Sequence, residues 1–481
     1  MARLSRATIR STSMTAARLR ALHVLSPAIL LASICAAGAC GSSDGAAPDP
    51  HAADTDTGAP AADATAPQPD DAADSAAPQD AATADVSLLA LGFVYRDVNH
   101  VLGTGQSLSV GTLGTPVQSL TQPYANITFV PGALSGGTGL TSFVPLVEQN
   151  VETHSSTFAN LVTMMARDVI LVDQPVGQTS HDLLVSQHGI GGQPYSALKK
   201  GGTTACYANG MAQAKAGHDL SVAAGKSYVI RAVTNVHGES DHIALNTAYE
   251  ANLLEWQADY ETDAKALTGQ TEGVPMLHSQ ISSWTRFANS TTSAIPAAQL
   301  AAHVHSGGKV VLVGAKYHLP YVADGVHLTT EGYQHMGEDY AKVYRRVILE
   351  GKAWEPVRPK TVTRAGAVVT VTMHVPAPPL VLDTTLVTDP GKFGFEWADD
   401  GPSTPTVTSV ALSGDDTVVV TLSAAPTAAN PRLRYAYTGT GGALAGPTTG
   451  PRGNLRDSDA TPSRNGYKLY NWCVHFDAPA P

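Results

Sequence analysis

The chain has 481 residues, 43% of them hydrophobic, which is length enough for two domains with cores of their own. Its formal net charge is −11, and ten aspartates between Asp44 and Asp85 supply most of it; without those ten, −1 remains. The rest of the chain therefore offers no electrostatic footprint for nucleic acid. Beyond the first forty residues, no run is long and apolar enough for a membrane-spanning helix.

Residues 1–40 read as an address. Arg3, Arg6, Arg10, Arg18 and Arg20 form a positive leader, followed by an apolar run from Leu25 to Ala39 and then Cys40. Small residues before a cysteine fit a bacterial lipobox, with Ala37 where Leu is usual, so Cys40 is the expected lipidation site. This predicts an exported bacterial lipoprotein, held to a membrane through Cys40. The absence of Asp at the second position after that cysteine favours the outer membrane, on its periplasmic or cell-surface face. Residues 41–85 are rich in Ala, Asp and Pro, with no aromatic, Lys or Arg. Such a segment buries too little apolar surface to repay ordering its backbone, and it is predicted to be a disordered tether.

Residues 86–358 alternate strand-like and helix-like patterns. Phe158, Leu161, Val162 and Met165 recur at helical spacing within Thr153–Arg167. The β-branched run Asp168–Val172 is predicted to be a buried strand emptying into the turn 173–180. A helix is expected over Tyr207–Ala224, then strands at Ser227–Thr234, Val274–His278 and Lys309–Gly314. A long helix carries Leu253, Trp256, Tyr260, Ala264 and Leu267 on one face. A last one carries Tyr333, Met336, Tyr340, Val343 and Val347, with Thr329 or Thr330 as its cap. Strand and helix repeated in this way predict an α/β fold with a central parallel sheet covered by helices. Residues 359–481 change texture: Thr361–Met373, Thr406–Leu412, Asp416–Leu422 and Arg432–Thr438 alternate β-branched residues between Gly, Pro and Asp turns, predicting an accessory all-β sandwich. Cys206 and Cys473 are the cysteines beyond the leader; a bridge between them and two buried thiols are both open readings.

Covalent ester hydrolysis needs a nucleophile, a base, a group to orient the base, and donors for the oxyanion. Ser107, in Gly103-Thr-Gly-Gln-Ser107 after the short strand His100–Leu102, is the candidate nucleophile. His327 is the candidate base and Asp324, three residues earlier, its orienting carboxylate. The backbone N–H groups of Ser107 and of the Gly177-Gln178 turn are candidate oxyanion donors, with a third from Asn235-Val-His237-Gly-Glu239. His303-Val-His305 has no carboxylate or cysteine beside it and is predicted to be a solvated loop, so no metal ligand is assigned. His318 and His335 carry no signal of their own. Trp284, Tyr317 and Tyr321 suit a core or the lining of a sugar site.

These blocks together resemble the SGNH (GDSL-like) hydrolases, and within them the carbohydrate-esterase branch that includes sialate O-acetylesterase-like proteins. Gly105-Gln106-Ser107 matches the nucleophile block, Val176-Gly-Gln-Thr-Ser180 a Val-Gly-Gly-Thr-Ser-type turn, His237-Gly-Glu-Ser240 a Gln-Gly-Glu-Ser block, and Asp324-Gly-Val-His327 the closing Asp-x-x-His. The resemblance covers about residues 95–350. It implies an SGNH-type, flavodoxin-like three-layer sandwich and a serine esterase that removes acetyl or other small acyl groups from carbohydrate without a cofactor. His237 stands where the branch has Gln and can donate only from whichever ring nitrogen is protonated. Asn235 is therefore a second candidate for the third donor, and Glu239 is expected to hold the loops rather than act as base. A lipase or thioesterase on the same scaffold, and a non-catalytic glycan-binding lipoprotein, are the competing functions.

Overall fold

A computed structural model describes residues 94–173 and 181–481. Cys40, the signal segment, the tether, Gly177 and Gln178 lie outside the described residues. The first strand, β1 (Val98–Gly105), is buried along its whole length. It lies at the centre of a seven-stranded sheet with β2 (Ile127–Phe129), β3 (Phe143–Pro145), β4 (Leu183–Gln187), β5 (Tyr228–Val236), β6 (Met276–His278) and β7 (Val310–Leu312). The order is β3-β2-β4-β1-β5-β6-β7, parallel throughout except for the antiparallel β2–β3 edge.

The helices are α1 (Ser155–Asp173), α2 (Tyr195–Leu198), α3 (Cys206–Ala223), α4 (Glu239–Ile243), α5 (Tyr249–Thr268), α6 (Ile295–His305) and α7 (Thr330–Tyr344). Because successive strand residues point to opposite faces, the apolar runs of β1 and β4 feed two cores at once. Val101 and Val185 join Phe158, Val162, Met336 and Tyr340 from α1 and α7; Leu102 and Leu184 join Ala214, Trp256, Tyr260 and Ala302 from α3, α5 and α6. The central mostly parallel sheet with helices on both faces is the arrangement expected. Thr329 caps α7, its hydroxyl accepting from the Gly332 N–H.

Two local readings are corrected. Asp168–Val172 is the last part of α1, not a strand. Its β-branched residues carry strand propensity, but the helical register begun at Ser155 runs through them, since propensity is a weak term against continued helix propagation. The neighbour of β1 is instead Leu183–Gln187, whose apolar run of Leu183, Leu184 and Val185 is too short to stand out. His303 and His305 sit in the last turn of α6 rather than a loop; His303 is buried and bonded to Glu355 at 3.1 Å.

The region after 358 is built of antiparallel sheets. Val407–Ser413, Thr417–Leu422, Val368–His374 and Arg358–Ala365 form one; Phe395–Ala398, Arg432–Tyr435 and Phe476–Pro479 a second; Val381–Leu382 and Leu455–Arg456 a third. The run expected as one strand from Thr361 to Met373 is a hairpin, folded at Gly366 with φ +63°. Its cores interlock with the α/β region: Leu469 packs in the α1/α7 core, and Ala315 and Tyr317 pack with the C-terminal strands. Gln280 exchanges two hydrogen bonds with the His475 backbone at 2.8 and 3.0 Å. Tyr317 and Trp284 are fully buried core residues rather than a sugar platform. Cys206 and Cys473 are separate, buried free thiols.

The last residue of β1 shows why the strand ends as it does. Gly105 has φ +124°, and a Cβ there would lie 2.3 Å from the Val236 carbonyl oxygen. Gly105→Ala is therefore both strained and clashing, and it is expected to cost about 3 kcal/mol, read as a lowered urea midpoint at unchanged slope.

Candidate active site

The carboxyl end of β1 lies between β4 and β5, where the chain's connections leave in opposite directions. That is the crevice in which open α/β sheets hold their reactive groups. Ser107 follows β1 directly. The Ser107 hydroxyl donates to His327 Nε2 at 2.7 Å, and His327 Nδ1 donates to Asp324 Oδ2 at 2.6 Å. The other Asp324 oxygen accepts the N–H groups of Val326 and His327 at 2.8 and 2.9 Å. Burial works to raise this carboxyl, and the hydrogen bonds from His327 and Val326 outweigh it, holding it below the usual carboxylate value. Asp324 thus stays ionised beside a ring that must gain a proton. The three residues named from the sequence as nucleophile, base and orienter meet across more than two hundred residues of chain.

The sequence blocks are bolted to one another behind this triad. Gln106 donates from Nε2 to Glu239 Oε2 at 3.0 Å, and its side-chain Oε1 accepts from the Ser240 N–H at 3.2 Å. Lys316 Nζ lies 3.5 Å from the other Glu239 oxygen, with both side chains almost wholly buried. Desolvation pulls the Lys316 pKa down and Glu239 pulls it back. Glu239 accordingly ties the nucleophile block to the β5 block and is not in contact with His327.

Both side chains proposed as a third oxyanion donor are buried and hydrogen-bonded. His237 Nδ1 meets the Tyr249 hydroxyl at 2.7 Å and Nε2 the Gln193 carbonyl at 3.0 Å. Burial lowers its pKa, so the ring is neutral, accepting from Tyr249 and donating to Gln193. Asn235 donates from Nδ2 to the Met276 sulfur at 3.4 Å, and its side-chain oxygen Oδ1 is buried without a partner among the described residues.

The loop that faces Ser107 is one the sequence reading passed over, His188-Gly-Ile-Gly-Gly-Gln193, at the carboxyl end of β4. A Cβ on Gly191 would stand 3.6 Å from Ser107 Cβ, and the Ile190 N–H donates to the Gly105 carbonyl at 3.0 Å. Among the described residues, the amides of Ser107 and Gly191 have no acceptor, as an oxyanion site requires. The available signal was three glycines immediately after an apolar run. The turn at 176–180 carries a similar signal and follows a longer β-branched run, Val169–Val172.

The C-terminal region also reaches the site. Ala445 N–H donates to the Gly325 carbonyl at 3.2 Å, and Thr285 bonds the Ala443 carbonyl at 2.8 Å. Arg286 Nε holds the Asp324 carbonyl at 3.0 Å. The turn bearing the acid and the base is thereby buttressed from the segment 442–445, which no sequence pattern marks.

Residues 157–346 match the family described as SASA: carbohydrate esterase, sialic acid-specific acetylesterase. That span, under half of the chain, contains Asp324 and His327 and begins after Ser107. No curated protein sequence matches significantly. Among solved structures, the chain is similar to a carbohydrate acetylesterase from Xanthomonas citri, with TM-score 0.49, 12% identity, and 79% of this chain and 80% of that one covered. A carbohydrate acetylesterase from Sinorhizobium meliloti aligns at TM-score 0.30 and 12% identity over 51% of this chain and 97% of that one. An aryl esterase from M. smegmatis aligns at TM-score 0.30 and 11% identity over 52% and 98%.

Proposed function

We propose that this chain, a carboxylic ester hydrolase resembling the SGNH carbohydrate esterases, removes acetyl or another small acyl group from carbohydrate by an acyl-enzyme mechanism at Ser107. The observation that carries the reading is the unbroken hydrogen-bond relay from Ser107 through His327 to Asp324. Ser107 Oγ attacks the acyl carbonyl carbon while its proton passes to His327 Nε2, and Asp324 stabilises the resulting imidazolium. The oxyanion is received by backbone amides of Ser107 and of the Gly191 turn. His327 then returns the proton to the departing sugar oxygen. Water, deprotonated by His327, attacks the acyl-serine; carboxylate leaves and the hydroxyl of Ser107 is restored.

The sugar as leaving alcohol is supported by the family match, and the small acyl group by the same description. In this reading the leader anchors the protein through lipid on Cys40, at the outer membrane of an exporting bacterium. Among the described residues no helix is long and apolar enough to cross a membrane.

A chain-length series tests the acyl specificity. Aryl esters from acetate to decanoate, followed by O-acetylated saccharides, are to be assayed with the full chain. The expected outcome is kcat/KM highest at acetate and lower by at least about tenfold at octanoate, the scale at which a short pocket rejects added methylenes. Acetate release from acetylated saccharide is expected alongside. A rate that climbs with chain length would replace this reading by a lipase or thioesterase.

A further inference from the structure

A second cluster of chemically competent side chains lies away from the triad, at the seam between α7 and the C-terminal region. His335 and Asp339 stand one turn apart on α7, four residues along one face, and His318 approaches from the loop after β7. One potential ligand atom from each falls within 4.8 Å of the other two. His318 Nε2 is 3.2 Å from Asp339 Oδ2, and His335 Nε2 is 3.9 Å from Asp339 Oδ1, beyond hydrogen-bond reach.

The protein itself leaves these groups unsatisfied. His335 Nε2, Asp339 Oδ1 and His318 Nδ1 are buried atoms without a hydrogen-bond partner among the described residues. His318 Nδ1 lies on the ring edge away from the Nε2 that bonds Asp339, so the orphans that approach each other are His335 Nε2 and Asp339 Oδ1, 3.9 Å apart, and leaving such a buried pair unsatisfied is costly. A cavity of about 20 Å³, room for one ion or one water, adjoins His318 and Asp339; Lys316, Asn471 and Trp472 also line it, and His335 does not.

The rings are also held in place. His318 stacks on Trp472 with centroids 5.8 Å apart, and His335 stacks on Tyr467 at 4.8 Å and 5°. The nearest cation, Lys342, is 4.0 Å from Asp339 Oδ1, but it is committed to Asp459, Asn471 and the Leu469 carbonyl, and Asp459 opposes its charge.

We propose that His318, His335 and Asp339 bind a single divalent transition-metal ion of the zinc class. Two imidazoles and one carboxylate form a nitrogen-rich set that suits Zn²⁺ and disfavours Ca²⁺ and Mg²⁺, which take oxygen ligands. Ligand atoms of a tetrahedral zinc site are about 3.3 Å apart, so His318 Nε2 and Asp339 Oδ2 already have the spacing, while His335, 3.9 Å from the other Asp339 oxygen and within 4.8 Å of its fellow ligands, must close by up to about 1.5 Å. A water fills the fourth position. His318 precedes and His335 follows the segment carrying Asp324 and His327, so the ion braces both ends of that segment and its role is structural.

The test uses the full chain, stripped with chelator and titrated with Zn²⁺ by calorimetry and with Co²⁺ by visible absorption. The expected result is one equivalent of Zn²⁺, tetrahedral Co²⁺ bands, a raised melting temperature, and no response to Ca²⁺. His335→Gln and His318→Gln are each expected to weaken Zn²⁺ binding by at least about tenfold with near-UV circular dichroism unchanged. Asp339→Asn should do the same; where it fails to fold, the two histidine variants decide. Absence of saturable Zn²⁺ binding in the parent, or parental affinity in either histidine variant, overturns the proposal whatever the esterase assays return.

Discussion

Ser107→Ala is expected to lower kcat for a short-chain aryl acetate by at least about 10,000-fold, the scale seen when the nucleophile of a serine triad is removed. The reason is local. Ser107 Oγ is the atom that His327 Nε2 faces at 2.7 Å, and no other hydroxyl among the described residues bonds that ring. Deleting one half-exposed hydroxyl that contributes to no core should leave the unfolding midpoint unmoved, which separates lost chemistry from lost fold. Asp324→Asn is expected to fall less far, by about 1,000-fold or more, since it keeps the nucleophile and base but loses the charge that stabilises the imidazolium. Equal, near-background rates in parent and Ser107→Ala would remove the esterase reading, and glycan binding by the intact chain would become the activity to measure.

How far the sequence carried this reading depends on the kind of signal each residue left. Ser107, Asp324 and His327 were legible because their chemistry is carried by side-chain identity, and the small residues around them mark turns at strand ends. The strands β1, β5, β6 and β7 were legible from their apolar runs, although not the order in which they lie. The signal failed at β4, where Leu183, Leu184 and Val185 made a shorter run than the helical Val169–Val172, and the glycine loop 189–192 that follows β4 went unmarked with it. His237 and Asn235 looked available because a sequence does not show occupancy; Tyr249, Gln193 and Met276, which engage them, are distant in chain or unremarkable in type. The contact of 442–445 with the Asp324 turn is backbone to backbone in large part, and such contacts leave no residue pattern at all.

The same sheet that presents the triad should make the protein intolerant of acid. His100, His154, His188, His278 and His475 are completely buried, and desolvation pushes each far down, to about 3 for His100, His278 and His475 and about 4 for His154 and His188. In the unfolded chain each titrates near 6.5. Between pH 6.5 and about 4 the unfolded state therefore binds protons that the native state refuses, and stability falls as pH falls. One pH unit below 6.5, each group costs upward of about 1 kcal/mol, and the five together about 7 kcal/mol. Glu148 works the other way. Burial, with Glu152 adding to it, raises its carboxyl to about 7, so protonating it returns about 2 kcal/mol by pH 5.5. The net loss of about 5 kcal/mol is comparable to the whole stability of a typical domain. The urea midpoint measured at pH 7.5 and 5.5 should drop steeply, with unfolding complete before pH 4 in buffer alone. The pairing of His100 with Tyr228 and Ser186 localises part of the effect: His100→Asn, which does not titrate, should flatten the slope by about one fifth of the histidine contribution. A midpoint that holds level from pH 7.5 to 5.5 would mean that these rings take up protons without unfolding the sheet around them, and the buried hydrogen-bond pairs would then have to open to water in the native state.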